Sequence, residues 1–235
     1  MSFERSSQNS IYMSGDYLEK NPDWHVQDSL WKSKQIIQLL NRNEISPESI
    51  AEVGCGAGEI LLQLSNMFPK ASCVGYEISP DAFKLALNRS NERLRFVNES
   101  HLNDDLRYQV LLLIDVFEHV DDYLGFLRTI KQKSELQVFH IPLDISVQSI
   151  LRNGMMKMRN NAGHLHYFSA TTAIATLEYC GFTVLDHFFT KNFEGLPGGS
   201  WKAKLMKFPR KILFAVSPRL TVMLFGGCSL IVLTE

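Results

Sequence analysis

The sequence predicts a doubly wound α/β fold, a mostly parallel sheet with helices on both faces. Three observations carry this. Short apolar runs alternate with helix-length amphipathic segments from Ser49 to Thr190, the pattern that builds a parallel sheet. A glycine-rich turn, Gly54-Cys55-Gly56-Ala57-Gly58, joins the first apolar run to the first helical segment, as at the ligand-binding crevice of such sheets. A length of 235 residues suits one α/β domain with a modest N-terminal addition.

The elements follow in order. Val26, Leu30, Ile36, Ile37 and Leu40 recur at helical spacing. After Pro47, strand one spans Ser49 to Val53 and its helix runs from Glu59 to Phe68, where Pro69 ends it. Strand two is Ser72 to Ile78; Ser79-Pro80-Asp81 then caps a helix reaching Asn91. Strand three is Leu94 to Val97, and strand four, Gln109 to Val116, is a continuous apolar run suited to burial on both faces. A helix from Asp121 to Lys133 precedes strand five, Leu136 to Pro142. Ile145 to Asn161 is a Met-rich, partly helical insertion. A helix from Ala170 to Cys180 stops at Gly181, and strand six is Phe182 to Thr190. Gly195 to Gly199 is a turn, and Leu220 to Leu233 supplies strand seven. The expected division is an N-terminal segment and lid helix over 1–45 and the sheet domain over 46–235, with insertions at about 145–168 and 195–219.

Composition narrows the function. The net charge of −1 gives no general electrostatic reason to bind nucleic acid, and none is expected as a partner. Cys55, Cys73, Cys180 and Cys228 form no C-x-x-C pair, so reduced thiols and a cytoplasmic setting are expected. The N-terminus lacks the apolar core of a signal peptide. The longest uncharged stretch, Leu220 to Thr234, covers 15 residues and includes Gly226-Gly227, against about 20 needed for a transmembrane helix.

The glycine turn has the spacing G-x-G-x-G followed by Glu59, not the G-x-G-x-x-G that seats a pyrophosphate. A phosphate there would meet Glu52 and Glu59. The spacing asks for a cofactor with a nucleoside, no phosphate and a cationic group, and S-adenosylmethionine fits. Glu77 ends strand two, 19 residues after Gly58, where a carboxylate accepts the two ribose hydroxyls.

The run Glu52-Val53-Gly54-Cys55-Gly56-Ala57-Gly58-Glu59 resembles the first motif of class I S-adenosylmethionine-dependent methyltransferases. Asp115-Val116-Phe117-Glu118-His119-Val120 resembles the fourth-strand motif of the small-molecule group that includes quinone-biosynthesis enzymes. The resemblance implies a seven-stranded Rossmann-like sheet with strand seven antiparallel between strands five and six. It implies that Glu52, Gly54, Gly56 and Gly58 cradle the methionine portion, with Cys55 among them a further cofactor-binding candidate, that Glu77 holds the ribose and that Ile78 flanks the adenine. Glu99, with Asn98 as the alternative, would face the adenine amino group, and Asp115 the methionine end and the reacting methyl, with Val116 beside it among the cofactor-binding candidates. Gly163-His164-Leu165-His166-Tyr167-Phe168-Ser169 resembles the stretch that lines the acceptor side, which makes His119, His164, His166 and Tyr167 the acceptor-side candidates.

Several readings stay open. Glu118 and His119 either cap the next helix, supply a base at His119, or hold a divalent metal with a later histidine, as in related enzymes with an E-x-x-E-H pattern; Asp115 stands where that pattern has its first glutamate, so the metal is not favoured. His140 reads as a hydrogen-bonded core residue, and Ser169 as a helix cap. Tyr12, Tyr17, Trp24 and Trp31 either staple the N-terminal segment to the domain or belong to a lid, Tyr17 to Lys34, that includes His25. Trp201 to Arg219 carries six basic residues and no acid among apolar ones, either a solvated basic face or a peripheral membrane contact. The expected activity is methyl transfer to a small acceptor, lipid-like or a natural product, by in-line displacement. A nicotinamide oxidoreductase and a cofactor-binding protein without turnover are the alternatives.

Overall fold

A computed structural model describes residues 26–100, 106–195 and 205–235. Its centre is a seven-stranded sheet in the order β3-β2-β1-β4-β5-β7-β6. The strands are β1 (Ser49–Val53), β2 (Ser72–Tyr76), β3 (Leu94–Val97), β4 (Tyr108–Ile114), β5 (Ser134–Pro142), β6 (Val184–Thr190) and β7 (Ser229–Thr234). The first five pair in parallel, and β7 runs antiparallel between β5 and β6. Strand order reverses at β1 and β4, which opens a crevice at their carboxyl ends.

Because the central strands are covered on both faces, they read as unbroken apolar runs: Val110 through Leu113 are fully buried. One layer is α1 (Val26–Arg42) with α2 (Glu59–Met67) and α3 (Pro80–Leu87). Ile36, Leu39 and Leu40 of α1 are fully buried in the core that Leu61 and Leu64 of α2 also enter, worth about 2 kcal/mol for each side chain removed from water. The last turns of α1 are therefore core, and only its first turns reach the crevice. The other layer holds α4 (Tyr123–Lys131) and α7 (Ala170–Tyr179), which Ser169 starts with a reciprocal side-chain cap from Thr172.

Two insertions lie beyond the simple alternation. Between β5 and α7 stand α5 (Val147–Leu151) and α6 (Gly154–Ala162); between β6 and β7 stand α8 (Asn192–Gly195), α9 (Lys207–Val216) and α10 (Pro218–Phe225). The seventh strand is shorter than Leu220 to Leu233: residues 218–225 are helical, started by Ser217, whose hydroxyl accepts the Leu220 N–H, and by Pro218 in the first turn. Strand two ends at Tyr76 rather than Ile78 and strand four at Ile114 rather than Val116, so the last residues of each expected strand belong to the crevice loops. The expected turn at Gly195 to Gly199 begins inside α8, and residues 196–199 lie outside the described residues, as do Tyr12, Tyr17, Trp24, His25 and Trp201.

Candidate active site

At the carboxyl ends of β1 and β4 lies a cavity of about 400 Å³, a volume suited to a small molecule. The glycine turn forms one wall. Gly54, Gly56 and Gly58 all have positive φ, a backbone that L side chains rarely adopt. Gly54, Cys55 and Gly56 face the cavity, whereas Gly58 starts α2 on its far side. A Cβ on Gly58 would stand 2.4 Å from the Phe96 ring, so that glycine serves the close packing of α2 on β3.

Glu77 is held at the same wall. Its Oε2 accepts the Gly56 N–H at 2.8 Å and its Oε1 the Ser79 N–H at 2.7 Å, while the Asn98 amide donates to the Glu77 carbonyl at 2.7 Å. Burial pushes the carboxyl up, and the N–H groups of Ser79, Gly56 and Ile78 draw it back. Each oxygen keeps acceptor capacity beyond its one backbone bond. Ile78, 40% exposed, continues the wall.

Glu52 on β1 is buried, and its Oε2 has no hydrogen-bond partner among the described residues. Burial moves its carboxyl well above the usual range; Lys32 opposes this and the nearby Glu77 adds to it. A buried acid oxygen left unpaired at a cavity wall fits a cationic or hydrogen-donating group of a ligand.

Asp115 follows β4 with φ of 55°, in the left-handed region that Asp tolerates better than most residues. It is clamped from two sides: Lys32 Nζ of α1 lies 2.7 Å from Oδ2, and His140 of β5 donates through Nδ1 to Oδ1 at 2.6 Å. Burial alone would raise the carboxyl, but Lys32 and His140 outweigh it and hold Asp115 well below the usual range. His140 Nε2 is 3.0 Å from the Thr190 hydroxyl on β6, and Trp31 sets its ring edge-on to the imidazole. His140 is thus the hydrogen-bonded core residue the sequence suggested, with the site acid as its partner.

Beyond Asp115 the chain makes a 3₁₀ turn, Phe117–His119, anchored by Phe117 among Tyr123, Phe139 and Phe168. This brings His119 and His164 together at the cavity wall with ring centroids 4.9 Å apart. His119 donates through Nδ1 to the Gly163 carbonyl at 3.2 Å, and His164 through Nδ1 to Asp144 at 2.6 Å. Glu118 is 1% exposed with both carboxylate oxygens unpartnered among the described residues, one of them 3.9 Å from His119 Nε2. Ligating atoms of Glu118, His119 and His164 lie within 4.8 Å of one another. Imidazoles fixed through Nδ1 by a carbonyl and a carboxylate, beside a bare buried carboxylate, fit a divalent cation. Asp115, the departure from the glutamate pattern, is engaged by Lys32 and His140 and lies outside this trio. Burial and the neighbouring His164 lower His119 to about 4, so its imidazole is neutral at pH 7.

Other candidates stand elsewhere. His166 donates through Nε2 to the Val120 carbonyl at 3.0 Å with its ring against Tyr123, and the Tyr167 hydroxyl is buried without a partner among the described residues; neither lines the cavity. Glu99 is exposed on the loop after β3, away from the cavity wall, while Val116 lines it. Residues not singled out beforehand do reach it: Asp28, Ser29 and Lys32 of α1, and Asn192 and Ser229 beside β6 and β7. A signal for Lys32 existed, since Asp28, Lys32 and Ile36 share one helical stripe with the buried Leu39.

Comparison with known proteins agrees with this fold. No curated protein sequence matches the chain. A family model described as a methyltransferase domain matches residues 25–187. Among solved structures, magnesium protoporphyrin IX methyltransferase from Synechocystis PCC 6803 with bound SAH is similar at 12% identity and a TM-score of 0.62, over 96% of this chain and 95% of that one. The plantazolicin methyltransferase BpumL, in complex with a monoazolic desmethylPZN analog and SAH, is similar at 16% identity and a TM-score of 0.60, over 97% and 90%. A SAM-dependent methyltransferase from Archaeoglobus fulgidus gives 18% identity and a TM-score of 0.57, over 86% and 93%. With the family model spanning most of the chain and the sheet order that of the class I fold, the chain belongs to the methyltransferase-domain family, as a class I S-adenosylmethionine-dependent methyltransferase.

Proposed function

We propose that this enzyme methylates a small, lipid-like or natural-product acceptor that enters beside His119 and His164, with Glu77 and the glycine turn holding the nucleoside end of the donor. One observation carries the reading: Glu77, preset by the Gly56 and Ser79 N–H groups, shares a single cavity with Glu52, Asp115 and the two histidines. The donor supplies a methyl group on a sulfonium, which a nucleophile displaces in line. Such a displacement needs alignment and exclusion of water more than acid catalysis. Glu52 would meet the donor's cationic portion, and Asp115, fixed by Lys32 and His140, would define the methionine end. Neutral His119 can accept a proton from an oxygen or nitrogen acceptor as the new bond forms. The first turns of α1, carrying Asp28, Ser29 and Lys32, act as the inner part of a lid over residues 1–45, with 46–235 as the catalytic domain. A cytoplasmic setting fits the four free, buried thiols.

A second reading differs only at the acceptor end, and the unpartnered Glu118 carboxylate favours it. Glu118, His119 and His164 would hold a divalent cation that polarises an oxygen of the acceptor.

The test has two parts. S-adenosylmethionine or S-adenosylhomocysteine should raise the melting temperature of the wild type, by an amount matching about 2.7 kcal/mol at a hundredfold excess over Kd, and Glu77→Ala should lose that shift. An unchanged wild-type melt at millimolar ligand sinks the cofactor assignment. Incubation with labelled donor and cell extract, followed by mass identification of the methylated product, then names the acceptor; binding without any product would leave a cofactor-binding protein.

A further inference from the structure

Two stretches of the chain, residues 145–177 and 195–234, hold nine of its 24 Lys and Arg and none of its 25 Asp and Glu. The rest of the chain is correspondingly acidic. In the fold these stretches meet: α9 packs on α10, and Arg210 of α9 donates to Gln148 of α5 at 2.7 Å and to the Phe225 carbonyl closing α10 at 2.9 Å. The insertions that follow β5 and β6 thereby form one outer face.

That face is apolar where a solvated surface would be polar. Leu205, Phe208, Ile212 and Val216 follow each other at spacings of three or four residues and are 69%, 71%, 52% and 79% exposed. The opposite side of α9 is apolar too, with Phe214 packed against Phe193, so the core does not account for the outer stripe. On α5, Leu151 is 81% and Ile150 58% exposed, and an apolar groove of about 320 Å³ runs from α5 to Leu224 and Phe225. Lys207 and Arg219 flank the stripe. Glu194 of α8 is paired with Lys191 at 2.8 Å and with Lys211 of α9 at 3.5 Å.

We propose that this face seats on an anionic lipid bilayer. Exposed bulky apolar side chains bordered by Lys and Arg gain both from burial at the headgroup boundary and from the negative surface potential. A second copy of the chain would bring like charges together across the same patch, and a nucleic acid would leave the apolar stripe without a partner. Among the described residues no helix is long and apolar enough to cross a membrane, so the contact is peripheral. The same insertions reach the active-site cavity through Ala162 of α6 and Asn192 of α8. An amphiphilic acceptor dissolved in the bilayer would arrive at the acceptor end; that step rests on the proposed methyl transfer, whereas the membrane contact does not.

Sedimentation with vesicles tests it. The full chain should pellet with mixed phosphatidylglycerol–phosphatidylcholine vesicles, less so as salt rises, and weakly with phosphatidylcholine alone. Lys207→Glu/Arg219→Glu and Phe208→Ser/Val216→Ser should each lower partitioning about tenfold or more, with unchanged thermal melts and an unchanged cofactor-induced shift measured without vesicles. Phe208, Val216 and Arg219 are exposed and Lys207 is half-buried at the start of α9, so the variants should fold. No preference of the wild type for anionic vesicles overturns the proposal, as does wild-type partitioning of both variants. A dimer in light scattering that Phe208→Ser/Val216→Ser dissolves would assign the face to self-association instead.

Discussion

Lys32 Nζ and Asp115 Oδ2 lie 2.7 Å apart, an ion pair that ties the first turns of α1 to the end of β4 across the cavity. Both side chains are largely buried, and removing one partner of such a pair strands the other. Lys32→Met should destabilise the empty protein by about 2 kcal/mol in urea unfolding, discounted for the partial exposure of the site. Lys32→Met/Asp115→Asn should cost less than the two single changes added together. Additivity would mean that the contact carries no coupling.

Glu52 gives a pH dependence with a defined sign. Its carboxyl is raised in the fold, chiefly by burial, so its contribution to stability is present below the unfolded carboxyl value and is lost as pH rises through the folded one. Glu52→Gln should therefore gain stability relative to wild type as pH increases. A cationic ligand group favours the ionised form, so cofactor binding should release a proton from Glu52 and tighten with rising pH. Calorimetry in buffers of different ionisation enthalpy reads that release, and Glu52→Gln should abolish it.

Gly58→Ala should destabilise by about 2–4 kcal/mol, combining a left-handed backbone with a clash against Phe96. Adding Phe96→Leu should recover only the steric part. A Gly58→Ala variant as stable as wild type in chemical denaturation would contradict the packing role.

For the metal reading, cobalt(II) should bind the wild type with visible d–d absorption, and Glu118→Gln or His164→Asn should weaken binding by roughly 10–100-fold or more. Chelator should remove activity, and magnesium or manganese should restore it. Full activity after exhaustive chelation leaves His119 as base alone.

Much of this was legible in the residues. β1 and β3 fall where Pro47, the glycine turn and the alternation put them, and β4 was legible because a parallel strand buried on both faces reads as a continuous apolar run. Strand seven is shorter than its uncharged stretch: Leu220 to Leu233 carries no charge on either side of Gly226-Gly227, so only that glycine pair marks the change from helix to strand, and Ser217-Pro218 announces the helix. Glu77 could be found because its distance from the turn is set along the chain. The partners of Asp115 could not: His140 reaches it through the β4–β5 register that sets Ile114 beside His140, and Lys32 through the packing of α1. Contacts fixed by register and helix docking are written in the three-dimensional arrangement rather than in spacing.

The place of β7 sets an order of events in synthesis. It is made after both strands it separates, and β6 bonds to β7 and to no other strand of the described sheet. Until residues 229–234 leave the ribosome, β6 has no strand to pair with and β5 presents an open edge, while β1 to β4 can already assemble. The wall that Gly54, Gly56 and Glu77 form can therefore assemble during translation, before β7 is made and Thr190 is set against His140.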